Sequence, residues 1–309
     1  MYFARNFNLI TAAIICGLSI IALVYNHYRT HFVGNNYFPP DSSLIFVILI
    51  LIFLGSYLVF DKQNPFFKIA KELLYFFLLF SVIAFATNAV QFAPFRPIDK
   101  SLILIDQALG IHLDKIIGWT LNKPSLKDIL VLSYDSLPMQ MTYLPLLLIF
   151  CRQFYYLREY YSLLLITTLL GFLFYYFWPT LGPASVFNSP YFSNAQHATG
   201  IKFIEIHSKI VPSTQEGGMI AMPSFHMIWA LLGLNLSRCS TLIFIPLLIL
   251  NVLLISSCIL LGWHYLIDLL GSIITLGISY LIYLYFVALP LRLVNFEGNK
   301  HYNLAKFPN

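Results

Sequence analysis

The sequence predicts an all-α protein, a polytopic membrane helix bundle of about eight spans with a six-helix core. Three observations predict it. Mean hydropathy is +0.77, and charged residues make up 10% of the chain against 59% apolar ones, whereas a soluble domain carries about 25% and about 45–50%. The apolar residues come in long uncharged runs, which makes hydrocarbon rather than water the solvent. The 28 Phe and 20 Tyr suit lipid-facing and interfacial positions.

Taken in order, the spans are read at 8–25, 43–60, 72–93, 128–151, 161–178, 221–236, 240–258 and 263–287. A helix rising 1.5 Å per residue needs about 20 residues to cross the hydrocarbon, within a range of about 17–25. The first run follows Arg5 and resembles a signal peptide. It is kept as a helix because no small-x-small site follows before Asn26. Between the spans, segment 98–120 has helical apolar spacing with charges between, and is expected to lie along the interface as an amphipathic helix. Segment 179–220 exceeds the length of an ordinary connector and reads as a functional loop.

An even number of spans puts both termini on one side. That side carries ten Lys and Arg (Arg5, Lys62, Lys68, Lys71, Arg152, Arg158, Arg238, Arg292, Lys300 and Lys306). The opposite side carries eight, spread over longer loops, so the positive-inside rule makes the termini cytoplasmic. The loops 26–42, 94–127, 179–220 and 259–263 then face a periplasm or lumen. The net charge of +5 is scattered through loops, which excludes a nucleic-acid surface. Cys16, Cys151, Cys239 and Cys258 lie in or beside apolar runs without C-x-x-C spacing, and read as small hydrophobes.

Ionisable groups inside spans are expensive, so each is a candidate site residue. AMPSFHMIWALL carries Pro223, Ser224 and His226; LGWHYLIDLLGS carries His264 and Asp268. The two histidines are 38 residues apart, one crossing out and one back, which places both at one bilayer face. His264 and Asp268, four apart, are expected to stack on one helix face. The carboxylate can then fix the imidazole tautomer and aim the other nitrogen as a nucleophile. His226 near a helix N-terminus, behind Pro223 and Ser224, sits where free N–H groups attract phosphate and can protonate a leaving alkoxide. The chain lacks a carboxylate cluster or His/Cys set of metal-ligand spacing, so no metal or other cofactor is expected.

P-S-x-H followed by H-x-x-x-D resembles the second and third signature motifs of the type 2 phosphatidic acid phosphatase superfamily. MPSFH, HYLIDLLGS and YFWPTLGP look most like its inositol phosphorylceramide synthase branch, as do RPIDKSLILIDQALG and SYDSLPMQ. The resemblance covers about 95–272. It implies that His264 forms a phosphohistidine, Asp268 orients it and His226 protonates the leaving group. It also implies a phospholipid donor and a lipid alcohol acceptor as partners. On this reading 1–70 holds two N-terminal helices, 71–290 the catalytic bundle and 291–309 a tail. One departure matters: the phosphatase branch has Ser-Arg seven and six residues before the nucleophile, whereas here those positions are Ser257 and Cys258. Phosphate charge must be met otherwise, with Ser224, Arg96, Lys202 or Lys209 as candidates.

Each piece has a plainer reading. Arg96 is an interfacial anchor or a phosphate ligand. Asp135, read as buried beside Tyr134, pairs with a site base or with a neighbouring helix. His112, His197, His207 and His301 read as solvated loop residues. The rival functions are a lipid phosphate phosphatase of the same mechanism, and a transporter whose His and Asp relay protons.

Overall fold

A computed structural model describes residues 2–187 and 189–290. The tail 291–309, with Arg292, Lys300, His301 and Lys306, lies outside the described residues. Twelve α-helices follow in order: α1 Tyr2–Tyr25, α2 Ser42–Val59, α3 Pro65–Val90, α4 Asp99–Ala108, α5 Leu113–Leu121, α6 Pro124–Asp135, α7 Leu137–Phe150, α8 Phe154–Phe177, α9 Asn194–His207, α10 Phe225–Ser237, α11 Thr241–Leu260 and α12 Leu266–Tyr283. There is no strand among the described residues, as expected.

Among the described residues, six helices are long and apolar enough to cross a membrane by length and composition: Asn6–Thr30, Ser42–Val59, Pro65–Val90, Phe154–Phe177, Thr241–Leu260 and Leu266–Ala288. Two of the eight expected spans are shorter, Leu137–Phe150 and Phe225–Ser237. The run 128–151 is broken at Ser136, where Pro138 enters the first turn of α7. A proline lacks the N–H an unbroken helix needs there and its ring collides with the preceding turn. The bundle is organised around α8, whose Leu157, Tyr161, Leu164 and Leu165 are fully buried. It packs against α1, α3, α7, α10 and α12. Outward-facing Leu, Ile and Phe on α1, α2 and α11 stay exposed, as lipid-facing residues must.

Segment 98–120 is two short helices rather than one, each packing one face into the protein. Leu102, Ile103, Leu113 and Ile117 form a small core with Tyr265 and Phe192. Segment 179–220 is not a bare loop either. It contains α9, started by a capping box in which Ser193 and Gln196 satisfy each other's backbone N–H. His207, expected in solvent, ends α9 stacked on Phe203 at 3.9 Å, with Nδ1 against Phe203 O and Nε2 against Ala93 O. Cys258 is buried, whereas Cys151 is exposed and Cys16 and Cys239 are intermediate.

Candidate active site

The α10–α11–α12 hairpin brings His226 and His264 to one cleft, with ring centroids 6.0 Å apart. Pro223 lies just outside α10 rather than in its first turn. Ser224 is the N-cap, and its hydroxyl accepts from Met227 N at 3.4 Å. His226 is therefore the second residue of the helix.

His264 does not stack on a helix face with Asp268. It precedes α12, whose N-cap is Tyr265. Asp268, three residues into that cap, turns back: its Oδ2 accepts from Tyr265 N at 2.9 Å and meets His264 Nδ1 at 3.3 Å. The shorter contact of Nδ1 is to Ala221 O, at 2.9 Å. A carbonyl can only accept, so Nδ1 carries the proton and Nε2 keeps the lone pair. Nε2 faces Ser224 Oγ at 3.1 Å, and the hydroxyl donates to it. His264, Ser224 and Asp268 are all buried, with 3%, 0% and 0% exposure.

The cleft is lined by Tyr134, Leu181, Gly182, Thr199, Met219, Trp263 and both histidines, among others. Tyr134 lies flat between His226, at 4.0 Å and 14°, and Trp263, at 4.9 Å and 7°. Its hydroxyl approaches His226 Nδ1 at 3.2 Å. With the rings nearly parallel, the Nδ1 lone pair lies in the imidazole plane and points past the hydroxyl. That contact is stacking more than a hydrogen bond.

Two carboxylates that the sequence reading did not single out hold the cleft together. Asp99 accepts from Leu181 N at 2.9 Å, Gly182 N at 2.8 Å and Tyr265 OH at 3.2 Å. Asp106 accepts from Leu266 N at 2.7 Å and Ile267 N at 3.1 Å, the first N–H groups of α12. Being seven residues apart, the two share one face of α4. Burial pushes the Asp99 carboxyl up to about 6, against the bonds from Leu181 and Gly182, and raises Asp106 as well. Thr180 Oγ accepts from Ala221 N and Met222 N, tying the 179–183 loop to the segment that leads into α10. Gly182 needs its positive φ of 87°, and a Cβ there would press on Trp263 O at 3.2 Å. The only sequence signal for this brace is the seven-residue spacing of two acids in an apolar run.

The remaining candidates are scattered. Asp135 ends α6 exposed, without a hydrogen bond among the described residues, which corrects its expected burial. Adjacent residues point about 100° apart on a helix, and here the inward one is Tyr134. Arg96 is exposed and does not line the cleft. Lys202 is buried at 3% exposure in a second cavity adjoining the first.

No curated protein and no solved structure matches the chain. A family model described as PAP2 superfamily matches residues 100–282, more than half of the chain. The protein therefore belongs to the PAP2 superfamily, as an integral membrane enzyme of the phosphatase/phosphotransferase type.

Proposed function

We propose that the protein is a metal-independent lipid phosphotransferase of the inositol phosphorylceramide synthase-like branch. It moves a phospho-headgroup from a phospholipid to a lipid alcohol. The observation that carries this reading is the saturation of His264 Nδ1 by Ala221 O and Asp268, which leaves Nε2 as the basic nitrogen of that imidazole, in a cleft that His226 also lines.

Nε2 attacks phosphorus as the ester bond to the diacylglycerol oxygen breaks. His226 delivers a proton to that departing oxygen, and the developing positive charge on His264 is held by Asp268. The phosphohistidine then gives its phosphoryl group to the acceptor hydroxyl, whose proton returns to His226. The Ser224 hydroxyl, which rests on Nε2, swings toward the phosphate oxygens when the substrate arrives. Transfer rather than hydrolysis is favoured by the burial of Ser224, His264 and Asp268, since water reaching the phosphohistidine would compete with the alcohol. The cleft is assigned to the periplasmic or lumenal face on the Lys/Arg distribution of the loops.

The test is purified protein in EDTA with a labelled phospholipid panel and ceramide or diacylglycerol as acceptor. A new phospholipid formed only with acceptor is the expected result, and His264→Ala is expected to lower kcat by at least about 10³-fold. Headgroup phosphate released without acceptor would make the enzyme a hydrolase. Equal turnover by His264→Ala would remove the phosphohistidine.

A further inference from the structure

Lys202 is the one cationic side chain among the described residues that is fully buried near the cleft, and no carboxylate reaches it there. Among the described residues its ammonium has two partners, both main-chain carbonyls: Gly217 O at 3.1 Å and Gln215 O at 3.4 Å. An ammonium removed from water needs a counter-charge, and carbonyl dipoles supply only part of one. Burial lowers the amine to about 8, which leaves it largely protonated near neutrality.

The surroundings point to a ligand. Lys202 lines a small cavity with Tyr37, Gln91 and Tyr175. Thr199, Gly218 and Met219 line both this cavity and the catalytic cleft, so the two adjoin. Gly217 has φ +73° with Ala195 O only 2.3 Å from where a Cβ would sit, and Thr199 Oγ1 donates to Gly218 O at 3.1 Å. The position six residues before His264, where the phosphatase branch carries arginine, is here the uncharged, buried Cys258. The nearby buried positive charge therefore lies beside the reacting phosphate's cleft rather than within it.

We propose that the Lys202 cavity is an anion subsite for a group carried beyond the reacting phosphorus, either a headgroup phosphate or the second phosphate of a diphosphate lipid. The inference rests on the cleft being a phosphoryl-transfer site. A group tethered to the reacting phosphate would reach past Gly218 and Met219 and replace carbonyl dipoles with a full negative charge on Lys202.

The experiment reads binding without turnover, using full-length His264→Ala protein in detergent titrated with inorganic phosphate and with pyrophosphate. Pyrophosphate is expected to bind about tenfold tighter than phosphate, the scale of one charged hydrogen bond. Adding Lys202→Met should erase that preference and leave phosphate affinity unchanged, while Lys202→Arg should keep it. Melting temperatures without ligand, compared across the three proteins, separate loss of the subsite from loss of the fold. Equal affinity for the two anions in the parent, or a preference that survives Lys202→Met in a folded protein, overturns the proposal. With wild-type His264, Lys202→Met should raise KM for a diphosphate lipid or for a phospholipid with a phosphorylated headgroup, and whichever rises names the source. A rise for neither also overturns it. Failure of lipid transfer would leave the binding result standing, and absence of a pyrophosphate preference would leave the transferase standing.

Discussion

The two ends of the bundle handle buried charge differently. At the end where α3 and α8 begin and α10 stops, carboxylates face guanidinium groups. Glu159 meets Arg238 and Asn235, and Arg158 approaches Glu72 at 3.9 Å. At the end holding the histidine cleft, Asp99, Asp106 and Asp268 take their hydrogen bonds from backbone N–H groups, Tyr265 OH and His264. An ion pair neutralises both members and leaves nothing over. A carboxylate bound to backbone instead fixes the path of a loop, and leaves the cation Lys202 unclaimed. The first arrangement holds helices together; the second shapes the cleft.

The sharpest way to break this comparison is Asp268→Asn. An amide in place of the carboxylate cannot stabilise the imidazolium, and kcat is expected to fall by about 10³–10⁴ with the fold intact. A fall of only a few-fold would reduce Asp268 to a helix cap. Next in size is Asp99→Asn, which leaves two loop N–H groups and Tyr265 OH poorly matched. A loss of about 10²-fold in kcat/KM is expected, from the cost of about 1–3 kcal/mol for each unsatisfied group.

Asp99 also sets a pH dependence. Its carboxyl titrates at about 6, so kcat/KM of the wild type should fall as pH drops through about 6, when protonation weakens the bonds to Leu181 and Gly182. Stability runs the other way. The folded value lies above the ordinary 3.8, so the proton binds the folded state more tightly. That stabilisation is fully present below about 3.8 and gone above about 6. Activity and melting temperature are thus expected to diverge in acid for the wild type, and Asp99→Asn to lack both limbs. Parallel decline of the two would mean that acid simply unfolds the protein.

A smaller effect is expected at the other end. Glu159→Gln should cost about 1 kcal/mol of stability, discounted because Arg238 is 37% exposed, with kcat unchanged. A loss of kcat there would show that the two ends are coupled. The smallest change tests the stack on His226. Tyr134→Phe keeps the ring and should change kcat by less than about threefold, whereas Tyr134→Leu should lower it by about tenfold, the scale of an aromatic pair. A Tyr134→Phe effect as large as that of Tyr134→Leu would restore the hydrogen bond to His226.

Six of the spans and the hairpin spacing are legible because they depend on run length and residues per crossing, whereas the His264–Asp268 contact comes from Asp268 turning back over the start of α12 rather than from a shared helix face. The roles of Asp99 and Asp106 are not legible. Their partners are backbone N–H groups 82, 83, 160 and 161 residues away, and such donors occur at nearly every residue, so no side chain signals them. The inward side of α6 is not legible, because Ile129, Val131 and Leu132 are exposed while Leu130 and Tyr134 are buried, so apolar residues do not mark the packed face. In lipid the exterior is as apolar as the interior, which removes the periodicity that marks the buried side of a soluble helix.

By itself the sequence determined that the chain lives in a bilayer as helices, since uncharged runs of that length have no other stable solvent. It also determined that two histidines and an aspartate return to one face. Only the tertiary structure decided which nitrogen of His264 is free, which carboxylates brace the cleft and where Lys202 lies. Those are set by contacts with backbone atoms, whose chemistry is the same at nearly every position and whose partners are chosen by packing alone.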